Sequence, residues 1–263
     1  MSYLIIDGVK RPVMGWKKEP HDSRDLKMGV VAPHEFAALP PAGSVSVADL
    51  PPQWTQSNQD CVANSATEAF MFLQHKGVND EEYSRIYVYA KARLLDGCPL
   101  TTDEGTYVRS AFNAISQNGI CKESVFPYST DVAAVPGADA DAAASQHKAL
   151  LYYRCPDLYT VKASILQGFP IVFGTQMSES MLSELGTTGL VHYPGENEDM
   201  SFGHAMLLIA FNDTEAVLNY TGSFDVRNSW GPNAGLKGNA KLRQKLFADG
   251  LATDCWTFRR AAL

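Results

Sequence analysis

The helical patterns of this chain come early and its apolar, strand-like runs come late. From Cys61 onward, Val62, Ala66, Ala69, Phe70 and Leu73 fall near one helical face, and Asp60 stands where an N-cap is expected. Further helices are expected over roughly 82–94 and 107–117, the last punctuated by Gly119. The stretch "VKASILQGFPIVFGTQM" predicts a helix, a turn at Gly168 and a buried strand through Ile171 and Phe173, while "HAMLLIAFND" and "SFDVRNSW" predict neighbouring strands. Helices first and strands after is the order of an α+β protein with a helical lobe and a sheet lobe.

Outside that frame lie two stretches of different texture. Residues 1–50 include the proline-rich "VAPHEFAALPPAGSVSVADL" and show no sustained helical period, so they are expected to form an extended arm ahead of a domain spanning 51–263. Residues 131–149, "DVAAVPGADADAAASQHKA", are low in complexity and read as a surface excursion.

With 263 residues, 45% of them hydrophobic and 19% charged, the chain can bury one large domain or two lobes sharing a cleft. A net charge of -7 without any basic run speaks against nucleic acid as a partner. No apolar run approaches the ~18 residues that span a bilayer, so no membrane partner is expected. The short apolar start is followed by Lys10 and Arg11 instead of a small-residue cleavage site, which predicts no signal peptide and a cytoplasmic protein. Five cysteines without C-x-x-C spacing argue against a disulfide framework or a zinc site, and fit a reducing compartment. His192, Glu196, Glu198, Asp199 and His204 have metal-binding side chains but no spacing that would aim them at one point. Neither metal nor cofactor is expected.

Three residues far apart in sequence suggest chemistry. Cys61 sits at the junction of a polar turn and a helix, His204 directly precedes an apolar strand, and Asn228 ends the next strand, followed by Ser229, Trp230 and Gly231. Each alone has an ordinary structural reading: a free cysteine usually packs as a small hydrophobe, and Asn-Ser before glycine is usually a turn. Together they suit thiol catalysis. A helix N-terminus and a neighbouring imidazolium favour a thiolate, and a side-chain amide can fix the tautomer and orientation of the imidazole without adding charge. The oxyanion formed on an attacked carbonyl needs fixed donors, for which Gln56 is the candidate side chain.

These features resemble the papain-fold cysteine peptidases, in particular their compact bacterial and viral branch. The resemblance runs from about residue 50 to the end through "QSNQDCVANS", "YVYAKARLLDG", "DEGTYVRSAFNAISQNGICKESVFPY", "VKASILQGFPIVFG", "GHAMLLIAFND", "VRNSWGPNAGLKG" and "LATDCWTF", with "HDSRD" at 21–25 matching a motif ahead of the domain. It implies a two-lobe papain-like fold and a peptidase acting on peptide or protein substrates. In that reading Cys61 is the nucleophile, His204 the general base and acid, and Asn228 its orienter. Gln56 and the Cys61 N–H form the oxyanion hole, Trp230 shields the His204 to Asn228 bond, Gly105 lines the cleft, and Ala205 borders the pocket for the side chain preceding the scissile residue.

The sequence departs from the family pattern around the nucleophile. Gln59 and Asp60 replace the usual small pair, Val62 follows, and Gln56 lies five residues before Cys61 instead of six. Asp60 places a carboxylate where it opposes thiolate formation. These departures keep open an alternative, a catalytically idle papain-like fold used for binding or assembly, a virion component included. The arm is long enough to reach around a domain and limit access to Cys61, with Asp22, Arg24 and Asp25 able to pair with its surface. A strap that leaves the cleft open is the competing expectation.

Overall fold

The computed structural model describes residues 3–29, 38–74 and 82–261. The chain opens on a β-hairpin, β1 (Tyr3–Ile6) and β2 (Val9–Pro12), closed by Asp7 and Gly8 at positive φ. Two left-handed residues give such a turn the twist its strands need. Residues 13–29 then cross the body of the protein, and a short strand, β3 (Ala42–Ser44), follows. The segment expected to be wholly extended thus contains a hairpin and a strand. Residues 30–37, where its proline-rich part begins, lie outside the described residues.

Three helices build the first lobe: α1 (Cys61–Gln74), α2 (Arg85–Leu95) and α3 (Val108–Gln117). The second starts three residues later than expected because the Ser84 hydroxyl accepts a hydrogen bond from the Tyr87 N–H and so caps it. Every side chain of α1 from Cys61 to Phe72 is buried, since the helix is wedged between α2 and α3 on one side and the sheet on the other. Such a helix cannot keep a polar face, so its polar residues need partners. Asn64 accepts from Arg85 at 3.0 Å, and Glu68 accepts from Arg227 at 3.2 Å.

The alanine-rich stretch lies at the surface, but it carries a helix that the expectation there did not include. Residues Ala138–Ala144 form a short helix, α4, whose Ala140 and Ala144 pack with Tyr87 and Cys121. Small side chains let it lie close to its neighbours, which composition alone does not reveal.

The second lobe comprises β4 (Ala149–Arg154), α5 (Leu158–Leu166), β5 (Ile171–Met177), α6 (Glu179–Gly186), β6 (Phe202–Val217), β7 (Tyr220–Arg227), β8 (Asn239–Arg243), α7 (Lys245–Ala248) and β9 (Ala252–Ala261). The sheet is antiparallel in the order β4-β9-β5-β6-β7-β8, with β3 added beside the far half of β6. The architecture is α+β, and α1 meets β5, β6 and β9 at the seam between the lobes. No helix among the described residues is long and apolar enough to cross a membrane, and all five cysteines are free.

Candidate active site

Cys61 is the first residue of α1, and Asn64 N–H donates to the Asp60 carbonyl at 2.9 Å, so Asp60 holds the cap position through its backbone. Across the seam, antiparallel pairing of β6 with β7 brings their ends together, placing His204 near the start of one strand and Asn228 just beyond the other. His204 Nε2 and Asn228 Oδ1 are 2.8 Å apart. The other ring nitrogen, Nδ1, has no hydrogen-bond partner among the described residues. The next residue along β6, Ala205, donates its N–H to Cys61 Sγ at 3.3 Å, which sets the sulfur against the histidine strand. Trp230 lies against the imidazole with ring centroids 5.2 Å apart and the planes tilted by 34°, and both side chains are buried.

Gln56 is tied to the same corner. Its Oε1 accepts from the Ser229 hydroxyl, its backbone N–H donates to the Ser229 carbonyl at 2.7 Å, and its Nε2 donates to the Asn58 carbonyl at 2.9 Å. A primary amide has two hydrogens, and this arrangement uses one. Gln59 N–H donates to both Asp103 oxygens at 3.1 Å; the Tyr89 hydroxyl donates to Asp103 at 2.7 Å and accepts from the Gly105 N–H at 3.0 Å. Asp103 thereby locks the loop before the nucleophile to the Gly105 wall of the cleft. Nothing in its spacing singled it out.

The cleft is occupied by the protein's own N-terminal segment. Arg11 at the end of the hairpin donates to the Trp230 carbonyl at 2.7 Å. Met14 N–H then donates to Gln59 Oε1 at 2.7 Å, Thr106 N–H to the Gly15 carbonyl at 3.1 Å, Trp16 N–H to the Gly203 carbonyl at 3.3 Å and Lys17 N–H to the Thr106 carbonyl at 3.1 Å. The segment therefore runs as an added strand between Thr106 and Gly203. Gly15 lies on the thiol: a methyl group there would sit 2.5 Å from Cys61 Sγ. Gly105, at φ +75°, allows this approach from the other side, where a methyl group would sit 2.5 Å from the Gly15 oxygen. Farther on, Asp25 pairs with Arg109 at 2.7 Å and Arg154 at 3.1 Å, whereas Asp22 and Arg24 pair with each other. Gly15, Trp16 and Asp103 had no sequence signal beyond their place in the chain.

Burial under this strand sets the protonation states. Cys61 and His204 are both fully buried. Desolvation pushes the thiol up to about 12 against the help of the Ala205 N–H, with Asp60 adding to the rise, and drives the imidazole down to about 4 against its bond to Asn228. The covered pair is neutral thiol and neutral imidazole. Asp60 is itself wholly buried, and among the described residues the Tyr128 hydroxyl and Arg85 are the side-chain groups near enough to favour its charged form. Desolvation holds its carboxyl at about 7 against them, reinforced by Asp103. Among the described residues no group of three or more His, Cys, Asp or Glu could hold a metal ion.

The family model for papain family cysteine proteases matches residues 90–256, which include His204 and Asn228 and begin after Cys61. A peptidase C1-like protein of Acanthamoeba polyphaga mimivirus is 31% identical over 210 residues, covering 74% of this chain and 65% of its own length. The chain thus spans about two thirds of that relative. Among solved structures, xylellain, a cysteine protease from Xylella fastidiosa, superposes with a TM-score of 0.82 at 24% identity over 95% of this chain and 97% of its own. Digestive procathepsin L2 proteinase from Tenebrio molitor larval midgut gives 0.70 at 18% identity, over 94% of this chain and 77% of its own.

Proposed function

The chain belongs to the papain family of cysteine proteases, and from that premise we propose that it is a cysteine endopeptidase held latent by its own N-terminal arm. The observation that carries the catalytic reading is the orientation of His204. With Nε2 bound to Asn228, Nδ1 is the nitrogen left to exchange a proton with Cys61. Once the cleft opens to water and substrate, the desolvation that separates the two pKa values is relieved, and the proton moves from Sγ to Nδ1. Cys61 Sγ then bonds to the scissile carbonyl carbon. The oxyanion is held by the Cys61 N–H at the start of α1 and the second Nε2 hydrogen of Gln56. Collapse breaks the C–N bond as Nδ1 protonates the leaving amine, and water activated by the same nitrogen hydrolyses the thioester. The substrate class is peptide or protein.

The arm enters as an inhibitor in this reading because its backbone takes up the hydrogen bonds of both cleft walls and its Gly15 excludes any carbonyl from Sγ. Hydrolysis of an unstructured protein such as casein by the Gly15→Ala chain, whose added methyl group cannot fit against Cys61 Sγ, tests the catalytic part. Cys61→Ala and His204→Ala should each cut turnover on the order of 10^4-fold or more, and Asn228→Ala less, because it orients without reacting. Activity surviving in Cys61→Ala ends the thiol mechanism and leaves the binding-fold alternative standing.

A further inference from the structure

At the edge of the sheet, β4 and β9 bring two thiols side by side. The strands run antiparallel with Arg154 opposite Trp256, so the next pair along is Cys155 with Cys255. The Cys155 N–H donates to the Cys255 carbonyl at 2.8 Å, which carries the register on to this pair. Residues directly opposite on antiparallel strands share a face, with Cα atoms about 4.5–5.5 Å apart, and a disulfide spans Cα separations of about 4.4–6.8 Å. Both cysteines are free, and both line one cavity of about 200 Å³ together with Leu158 and Val161 of α5 and Phe247 of α7. That cavity admits a small oxidant to thiols that are otherwise buried.

The pair stands beneath the seat of the arm. Arg154, the residue before Cys155, pairs with Asp25; its backbone N–H donates to the Leu26 carbonyl and its carbonyl accepts from the Met28 N–H, both at 2.8 Å. Asp254, the residue before Cys255, accepts from Trp16 Nε1 at 3.2 Å and from the Glu19 N–H at 2.9 Å. The Trp16 indole lies on Gly174, where a methyl group would overlap it. Arg154 and Asp254 face each other at 3.4 Å, so the two halves of the seat meet at the thiols. Where β5 meets β9 the pairing skips from Val172↔Trp256 to Gly174↔Thr253, and Phe173 alone is opposed by Asp254 and Cys255. Such a bulge loosens the ladder and leaves Cys255 room to move toward Cys155.

We propose that Cys155 and Cys255 are a redox pair, oxidised by hydrogen peroxide to a reversible disulfide that staples β4 to β9 and fixes the seat of the arm. Reactivity is ordered within the pair. Burial pushes the Cys155 thiol up to about 11, opposed by the Ser164 hydroxyl and Arg259. Burial also raises Cys255 well above its ordinary value, with Cys155 and Asp254 adding to the rise and Arg154 opposing it. Cys155 therefore ionises first. Its thiolate bonds to one peroxide oxygen as the O–O bond breaks, and the other oxygen leaves as water after taking a proton. Cys255 then gives up its proton as its sulfur bonds to Cys155 Sγ, and the hydroxyl on that sulfur leaves as a second water. Two thiols and one hydrogen peroxide become one disulfide and two waters. No step draws on Cys61 or on the peptidase reading.

The test exposes the full-length chain to hydrogen peroxide, blocks the remaining thiols with N-ethylmaleimide under denaturing conditions and maps the peptides. The expected product joins the peptides bearing Cys155 and Cys255, with two hydrogens lost from the intact mass and restored by dithiothreitol. This mapping needs no variant to fold. Cys155→Ser and Cys255→Ser should each abolish the loss, and Cys98→Ser should leave it. The linked chain should unfold in urea with an equilibrium constant at least about thirtyfold smaller than the reduced chain, as closing a loop of about 100 residues predicts. With its seat fixed, the arm should lift more slowly, read as a severalfold fall in the rate of Cys61 alkylation by iodoacetamide. Sulfinic acid at either cysteine without a link, or a link through Cys98 or Cys121, overturns the pair. Equal or lower stability of the linked chain overturns the staple, and an unchanged alkylation rate overturns its hold on the arm.

Discussion

Asp60 is a carboxyl group placed where both its neighbour and its surroundings resist ionisation. Its folded-state value of about 7 lies above the ordinary 3.8, so the folded chain favours its protonated form. Its contribution to stability is therefore full below about pH 4 and is lost progressively as pH rises through 7. Asp60→Asn should match the wild type at pH 4 and exceed it at pH 8 by roughly 2–4 kcal/mol, read from urea midpoints at the two pH values. The same substitution removes a charge that raises the Cys61 thiol. The acidic limb of the rate profile should then move to lower pH, which a pH series of kcat/KM checks. An unmoved limb would mean that the Asp60 charge is screened from the sulfur once the cleft is open.

At the scale of elements, the decisive contact is between a loop glycine and a helix terminus. Gly15→Ala puts a methyl group 2.5 Å from Cys61 Sγ and 2.7 Å from the Gln59 carbonyl, and neither the start of α1 nor the loop locked by Asp103 can yield. The arm should lift, and the rate of Cys61 alkylation by iodoacetamide, followed by intact mass, should rise at least about tenfold, the factor that a loss of roughly 1.4 kcal/mol in docking gives. Part of the corner was legible beforehand: α1 from its apolar period, β6 from its apolar run, and β7 as the neighbouring strand expected in "SFDVRNSW", whose pairing brings His204 to Asn228 and the histidine strand to Cys61. The arm's course was not, because Gly15 and Trp16 acquire meaning only from Gly105, Gly174 and Gly203, which are distant in sequence. Asp254 was hidden for a related reason: a bulge is a mismatch between two strands, and neither strand shows it alone.

Across the whole molecule the two lobes are joined by a buried ion pair, Glu68 of α1 with Arg227 of β7, and Arg227 also donates to the Pro51 carbonyl. Burial pushes the Glu68 carboxyl up while Arg227 pulls it down. Arg227→Met should cost about 3–5 kcal/mol in chemical denaturation by stranding that carboxylate, and the double change with Glu68→Met should recover most of the loss. The arm is joined to this body by covalent continuity as well as by Asp25, Arg109 and Arg154. That continuity has a kinetic meaning. A segment on a short tether experiences an effective concentration on the order of millimolar at its own docking site, whatever the concentration of protein in solution. Dilution cannot release it, and a free peptide at micromolar levels competes at a thousandfold disadvantage for equal contacts. If the arm is the inhibitor proposed above, its escape is a first-order event, and the onset of activity would follow elapsed time, indifferent to how many molecules there are.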